Sequence, residues 1–248
     1  MKNLNVLLFS LFLSVVLVGC TNKEPKNYAY KIMFIEQEQF VEPYPTRVII
    51  TPEFVRFDDG EGSQDFVLFD RKNKVVRSVV TGEQSIMSVH PKNEVIESPL
   101  ELKMTEKDLG VLKDAPKVDG KAPKHYQLLV NNKVCSDVIA VKGLLPAAVK
   151  ALAEFAELMA SDSKKTLPSM PADTHEACNL AQDTFAPTRQ LKYGFPIQTS
   201  GDREYARTLV DYDANYKLDK KLFELPKGYN EYTVQELREG KVKFEKSI

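Results

Sequence analysis

The chain has 248 residues and carries 34 basic against 35 acidic side chains, a net charge of −1. That balance leaves no basic footprint for nucleic acid, so no nucleic-acid partner is expected. Tryptophan is absent, but 10 Tyr and 13 Phe supply apolar surface for a sizeable interior.

The first element is a leader. Lys2 precedes Leu4 to Val18, a run whose polar members are Asn5, Ser10 and Ser14. This is the pattern of a secretory signal peptide over residues 1–19. The run is shorter than the roughly 20 residues that span a hydrocarbon core. It ends in Leu17-Val18-Gly19-Cys20, which resembles the lipobox of bacterial lipoproteins. In that motif, small residues before the cysteine admit a signal peptidase, and the thiol takes up a diacylglycerol. The resemblance implies lipidation at Cys20 and a lipidated tether over residues 20–27. An uncleaved anchor, or an ordinary signal peptide with a chance cysteine, is the competing reading. Thr21 stands where inner-membrane retention would favour Asp, which implies an outer-membrane, periplasm-facing location. Acyl chains bury methylenes at about 0.8 kcal/mol each, so a multi-chain anchor holds essentially permanently. The membrane is thus one expected partner.

Removing residues 1–19 takes away one lysine and leaves 229 residues with 33 basic and 35 acidic side chains. Export also changes how Cys135 and Cys178 are read, because the compartment outside the inner membrane is oxidising. A disulfide between them would close a 44-residue loop, restricting the unfolded chain by about 4 kcal/mol. Two buried free thiols are the alternative.

From Tyr28 to Lys103 the chain reads as successive strands, since β-branched and aromatic residues cluster in short runs broken by Pro, Gly, Asp and Asn. Tyr28, Tyr30, Ile32 and Phe34 share one face of the first. Arg47–Ile50 and Phe54–Phe57 follow, then a turn at Asp58-Asp59-Gly60-Glu61-Gly62. Asp65–Asp70 and Lys74–Val80 flank Arg71-Lys72-Asn73 as a hairpin. Gln84–His90 and Glu94–Met104 continue the meander. Phe66 and Leu68 point one way and Val67 and Phe69 the other, so that part of the sheet must be covered on both sides. Lys113–Lys124, with two prolines and a glycine, reads as a loop. His125–Val130 and Val134–Val141 form a hairpin around Asn131-Asn132-Lys133.

After Gly143 the period becomes helical. Leu145, Val149, Leu152, Ala156 and Met159 fall on one face, with Lys150, Glu154 and Glu157 opposite. Pro146 sits in the first turn, where proline is tolerated. A Pro/Ser-rich link leads to a second helix starting near Asp173 or Thr174. Leu191–Gln198, Glu204–Asp211 and Leu222–Leu225 return to strand, with Gly201-Asp202 as a turn. The fold class expected is α+β: a curved antiparallel sheet, or half-barrel, with late-inserted helices on one side. Residues 28–248 form a single domain with a helical insertion at about 144–186.

This order of elements, with Leu222-Phe223-Glu224-Leu225-Pro226-Lys227-Gly228-Tyr229 near the end, resembles the superfamily of the periplasmic lipoprotein carrier and its outer-membrane receptor (LolA/LolB-like). It is similar in particular to uncharacterised exported proteins related to them. Phe54-Val55-Arg56-Phe57, Phe66-Val67-Leu68-Phe69-Asp70 and the Asn131-to-Cys135 hairpin are the other matching pieces, and the match covers roughly 28–232. It implies a half-barrel with an apolar concave face and a helical lid that shelters acyl chains. The receptor carries an apolar residue on a protruding hairpin loop. The turn at 58–62, where the match places that loop, is acidic here.

Catalytic signals are weak. His175-Glu176-Ala177-Cys178-Asn179 lacks the second histidine of a zincin helix, and an oxidised Cys178 is no thiolate ligand. Asp211-Tyr212-Asp213-Ala214-Asn215 opens like a calcium loop but has Tyr216 and Leu222 where Gly and Glu belong. A strand-end turn accounts for it better. No nucleophile elbow, P-loop or Gly-rich dinucleotide turn is present. None of His90, His125 and His175 sits beside an evident nucleophile. A non-enzymatic protein without cofactor or metal is therefore expected. It would bind a hydrophobic ligand against Ile32, Phe34, Ile50, Phe66 and Leu68. The alternative is a filled core in an envelope-assembly lipoprotein whose partner is another envelope protein.

Overall fold

The structure, a computed structural model, describes residues 28–60, 62, 64–91, 95–201 and 205–242. The leader, Cys20, the tether, Glu61 and Asp202 lie outside the described residues.

The strands are β1 (Tyr30–Glu38), β2 (Val41–Ile50), β3 (Phe54–Asp58), β4 (Phe66–Asp70), β5 (Val75–Val80) and β6 (Ser85–Val89), followed by β7 (Met104–Val111), β8 (Lys124–Val130), β9 (Lys133–Val141), β10 (Phe195–Gly201), β11 (Ala206–Asp213) and β12 (Asn230–Thr233). They form one open sheet in the order β12-β6-β5-β4-β3-β2-β1-β11-β10-β9-β8-β7. Two meanders, β1–β6 and β7–β11, join where β1 pairs with β11. The β8–β9 turn is made by Asn131 and Asn132, both at positive φ (51° and 66°), the conformation a two-residue hairpin requires and asparagine tolerates. Gly194, at φ 120°, lets the chain enter β10: a Cβ there would lie 2.4 Å from the Val141 carbonyl oxygen.

The sheet is α+β in class but mixed, which corrects the antiparallel expectation. Strand β12 runs parallel to β6, with Asn230 opposite Ser85 and Thr233 opposite Ser88. A parallel pair cannot be joined by a tight turn; residues 90–229 separate β6 from β12 in sequence, and 214–229 carry the chain from β11 to β12. Three further strand assignments change. Residues 95–103 have no regular structure, β7 begins where the meander was expected to end, and Leu222–Leu225 lies in a 3₁₀ turn and its exit. Strand β7 was missed because almost every side chain in it is exposed and most are polar.

Between β9 and β10 stand helix α1 (Pro146–Thr166) and a short helix α2 (Ala177–Asn179), which widens into a π turn over Leu180–Phe185. Proline occupies the first turn of α1, and its buried side chains are Ala147, Ala148, Ala151, Leu158 and Ala160. The expected Leu145, Val149, Leu152 and Met159 pack against the same core, and the alanines beside them form the most deeply buried part of that face. Alanines let the helix backbone approach the sheet, while Phe155 reaches down to pack at a tilt against Phe57 and Phe69, with centroids 4.7 and 5.9 Å away. Glu154, expected to face solvent, instead pairs with the buried Arg71 at 2.9 Å. Arg71 Nη1 also donates to Tyr28 Oη and to the Thr51 and Pro52 carbonyls, tying the helix to the sheet end. Burial opposes ionisation of Glu154, but the Arg71 hydrogen bond and charge outweigh it and hold the carboxyl below its usual range.

Cys135 on β9 and Cys178 on α2 form a disulfide, with Cα atoms 5.3 Å apart. It ties the helical insertion to the sheet, and Gln182 Nε2 adds a bond to the Cys135 carbonyl at 3.1 Å. Helix α3 (Val234–Arg238) opens with a capping box between Thr233 and Glu236.

Register assigns the two faces. One row across the sheet reads Tyr30–Ile50–Val55–Phe69–Val76–Val89, all buried under α1. The row behind it reads Lys31–Ile49–Arg56–Leu68–Arg77–Ser88. On that second face Phe66, Leu68, Val79 and Ile86 cluster beneath Phe223, Leu225 and Tyr229. The sheet is thus covered on both sides at β4, and the second cover is the chain's own C-terminal strap.

Candidate ligand-binding site

The expected wall of five residues does not exist as one surface. Ile32, Phe34 and Ile50 belong to the α1 face, whereas Phe66 and Leu68 belong to the opposite face under the strap. Strand alternation says that 66 and 68 share a face, but 67 and 69 are apolar too, so periodicity alone cannot say which pair meets the helix. Pairing resolves it: Phe69 sits opposite Val55 and Val76, Leu68 opposite Arg56 and Arg77. Ile32 and Ile50 are fully buried.

Phe34 lines a cavity of about 270 Å³ between α1 and the sheet. Its apolar walls include Phe57 from β3, Leu152 and Phe155 from α1, and Leu191 and Phe195 from the return into β10. One end is polar, with Thr199, Tyr205 and Arg207. Arg207 donates to Glu36 Oε1 from Nε at 3.1 Å and from Nη2 at 2.7 Å, and Tyr205 Oη donates to Glu36 Oε2 at 3.1 Å. The Arg207 guanidinium also lies 5.1 Å over the Phe34 ring, within cation–π reach. Burial, opposed by the Arg207 charge, pushes the Tyr205 phenol up to about 12, so it remains a donor throughout the neutral range. A second cavity of about 330 Å³ adjoins the first and shares Gln190 and Tyr205 with it.

Sequence reading missed Glu36, Arg207 and Tyr205. A signal was available for Glu36: it continues the Tyr30-Ile32-Phe34 alternation, so a carboxylate occupies an inward position, and it is 7% exposed. No local pattern marks Arg207, whose role depends on β11 pairing with β1.

The acidic turn proves to be structural at its first residue. Asp58 is buried between Arg47 and Arg56. An exposed apolar side chain stands on another hairpin, β1–β2, where Phe40 is 98% exposed. Phe40 has φ 64°, a left-handed conformation that costs a non-glycine residue roughly 1–2 kcal/mol. Phe40→Gly is expected to raise stability by up to about 1 kcal/mol, after the greater freedom of glycine in the unfolded chain is subtracted. Thermal melting reads this directly, and unchanged or lower stability would show that the tip carries no such cost.

The remaining chemical candidates fall into place. Cys178 is bonded to Cys135, so it offers no thiolate, while His175 Nε2 and Asn179 Oδ1 are buried without hydrogen-bond partners. Among the described residues no group of three or more His, Cys, Asp or Glu side chains could hold a metal. Asn215 N donates to Asp213 Oδ1 at 2.8 Å in a turn ending β11, as a strand-end reading requires. His125 Nε2 meets Asp137 Oδ1 at 2.6 Å across β8 and β9, and Gln127 shares that carboxylate.

No protein-family model and no curated protein matches the chain. Among solved structures, an uncharacterised conserved protein from Thermus thermophilus is similar with a TM-score of 0.43 and 8% identity, over 83% of this chain and 90% of that one. PNGF-II, in two crystal forms, gives a TM-score of 0.38 and 12% identity over 86% of this chain, which corresponds to 32% of PNGF-II. Scores this low establish neither a common fold nor a common function.

Proposed function

We propose that the chain is a non-enzymatic, lipid-anchored outer-membrane protein facing the periplasm, which holds a small apolar ligand or one acyl chain between α1 and the sheet. The anchor part rests on Met1 to Cys20. The half-barrel and carrier-like part rests on the resemblance to the LolA/LolB-like superfamily. The observation that carries the binding part is the aromatic-walled 270 Å³ cavity with a single polar end. Its volume lies just below the range of about 300–1,000 Å³ common for small-molecule sites, which fits one chain better than two. The exposed Phe40 tip gives a membrane-tethered protein an apolar contact outside the cavity.

Ala156→Phe tests this reading, because Ala156 lines the cavity from α1. With the mature Cys20→Ala chain, which is otherwise complete, a fluorescent fatty-acid probe is expected to bind, and Ala156→Phe to abolish binding with little change in melting. If the site is a filled core, the wild type binds nothing and the added ring costs about 1–3 kcal/mol by overpacking. That outcome would favour the second reading, an envelope-assembly protein recognised through a strand. The edge strand β7, with Met104, Leu109 and Val111 exposed, is the observation that favours it.

A further inference from the structure

Resting on that binding reading, we infer that the ligand is a single-chain amphiphile with an anionic head, its tail in the 270 Å³ chamber and its head in the adjoining 330 Å³ chamber against Arg189.

The two chambers differ in chemistry. The inner one is walled by aromatic and aliphatic side chains, and the cation that lines it, Arg207, is neutralised by Glu36 through two hydrogen bonds. A charged head placed there would have to break that pair. The outer one is lined by Ser136, Gln182, Asp183 and Arg189 among others. Its roof is the segment that Cys178 clamps to β9.

Arg189 is the unbalanced group. It is half-buried, and its Nη2 donates to two backbone carbonyls, Thr105 at 2.7 Å and Leu129 at 3.3 Å. Among the described residues it forms no ion pair. The nearby carboxylate of Glu106 is taken by Lys192 Nζ at 2.7 Å and by the Tyr193 hydroxyl. Asp183 is exposed and has a partner of its own. Partial removal of a guanidinium from water without an ion pair of its own is costly, and burial, only partly offset by the charge of Glu106, lowers the Arg189 pKa. Carbonyl bonds occupy one of its nitrogens, so donors remain for a carboxylate or phosphate oxygen. Gln190 and Tyr205 line both chambers, so a molecule that spans the two has to pass these side chains. Tyr205 is held by Glu36, but the Gln190 amide makes no hydrogen bond among the described residues, so it can rotate without breaking one. An engineered apolar cavity of about 150 Å³ accepts benzene. By that scale the inner chamber takes a chain of roughly ten carbons.

Decanoate, decanol and decyltrimethylammonium therefore serve as probes, titrated calorimetrically into the complete mature chain carrying Cys20→Ala. Decanoate is expected to bind about tenfold or more tightly than decanol, the worth of a charge-assisted hydrogen bond, and the cationic probe most weakly. Arg189→Gln should bring decanoate down to the decanol level while leaving decanol binding unchanged, and Arg189→Lys should restore part of the preference. Because Arg189 also supports two strands, a second measurement on the unsubstituted chain guards against misfolding: added salt should weaken decanoate and not decanol. Equal binding of decanoate and decanol, or a preference that survives Arg189→Gln, would overturn the anionic-head assignment alone. Failure of both to bind would overturn it together with the cavity reading.

Discussion

Asp58→Asn is expected to destabilise the protein by about 3–5 kcal/mol, the cost of breaking a buried ion pair from one side. The Asp58 side chain is completely buried and those of Arg47 and Arg56 nearly so. Its carboxylate accepts Arg47 Nε at 2.8 Å, Arg47 Nη2 at 3.0 Å, Arg56 Nε at 2.5 Å and the Gly60 amide at 3.1 Å. An amide could satisfy part of this geometry but none of the charge. Arg56 also carries the strap: its Nη1 donates to the Leu222 carbonyl at 2.6 Å, and its guanidinium lies 3.7 Å over the Phe66 ring. The substitution should therefore loosen the C-terminal cover first. At roughly 2–4 °C per kcal/mol for a chain of this size, melting should fall by about 6–20 °C. A loss below about 1 kcal/mol would mean that the network is hydrated and contributes as a surface pair does.

The second large effect belongs to the disulfide. Replacing both partners, Cys135→Ala with Cys178→Ala, is expected to cost about 4 kcal/mol, from the entropy the unfolded chain regains when a loop of this length is released. Cys135 and Cys178 pack with Val130 and Ala181 in a small cluster of their own, so the loss concentrates where the insertion meets β8 and β9. The segment freed is the one that roofs the outer chamber, and ligand affinity should fall together with stability. Melting with and without reductant checks the first expectation. Non-reducing peptide mapping that found both thiols open to alkylation would refute the bond itself.

How far the sequence could be read depended on how local the determining contacts are. The β4–β5 and β8–β9 hairpins, Pro146 at the start of α1 and the pairing of Cys135 with Cys178 were expected from turn chemistry, helix entry and an anticipated export to an oxidising compartment, and the structure has all of them. Strand β7 and the β12–β6 pair did not follow, because one is an exposed edge whose apolar residues, Met104, Leu109 and Val111, do not keep one alternation along the strand, and the other pairs segments far apart in sequence. The α1 face was legible in part: Leu145, Val149, Leu152 and Met159 do meet the core, but the centre of the contact falls on Ala148 and Ala151, because closeness to the sheet selects alanine where bulk suggested leucine and methionine. Of the five expected ligand residues, only Phe34 reaches the cavity. Phe66 and Leu68 failed for a reason of parity, since apolar residues on both faces of β4 leave register to decide. At the polar end of the site Glu36 meets Tyr205 and Arg207, residues 169 and 171 positions away, so the inward position of Glu36 was legible but its partners were not.

Native mass spectrometry of the full-length protein, purified from the cells that make it without added amphiphile, tests the binding claim most directly. The account predicts a one-to-one adduct with the mass of a single-chain amphiphile, displaced by excess decanoate and absent from Ala156→Phe. Wild-type protein that flies bare and takes up no decanoate would contradict it.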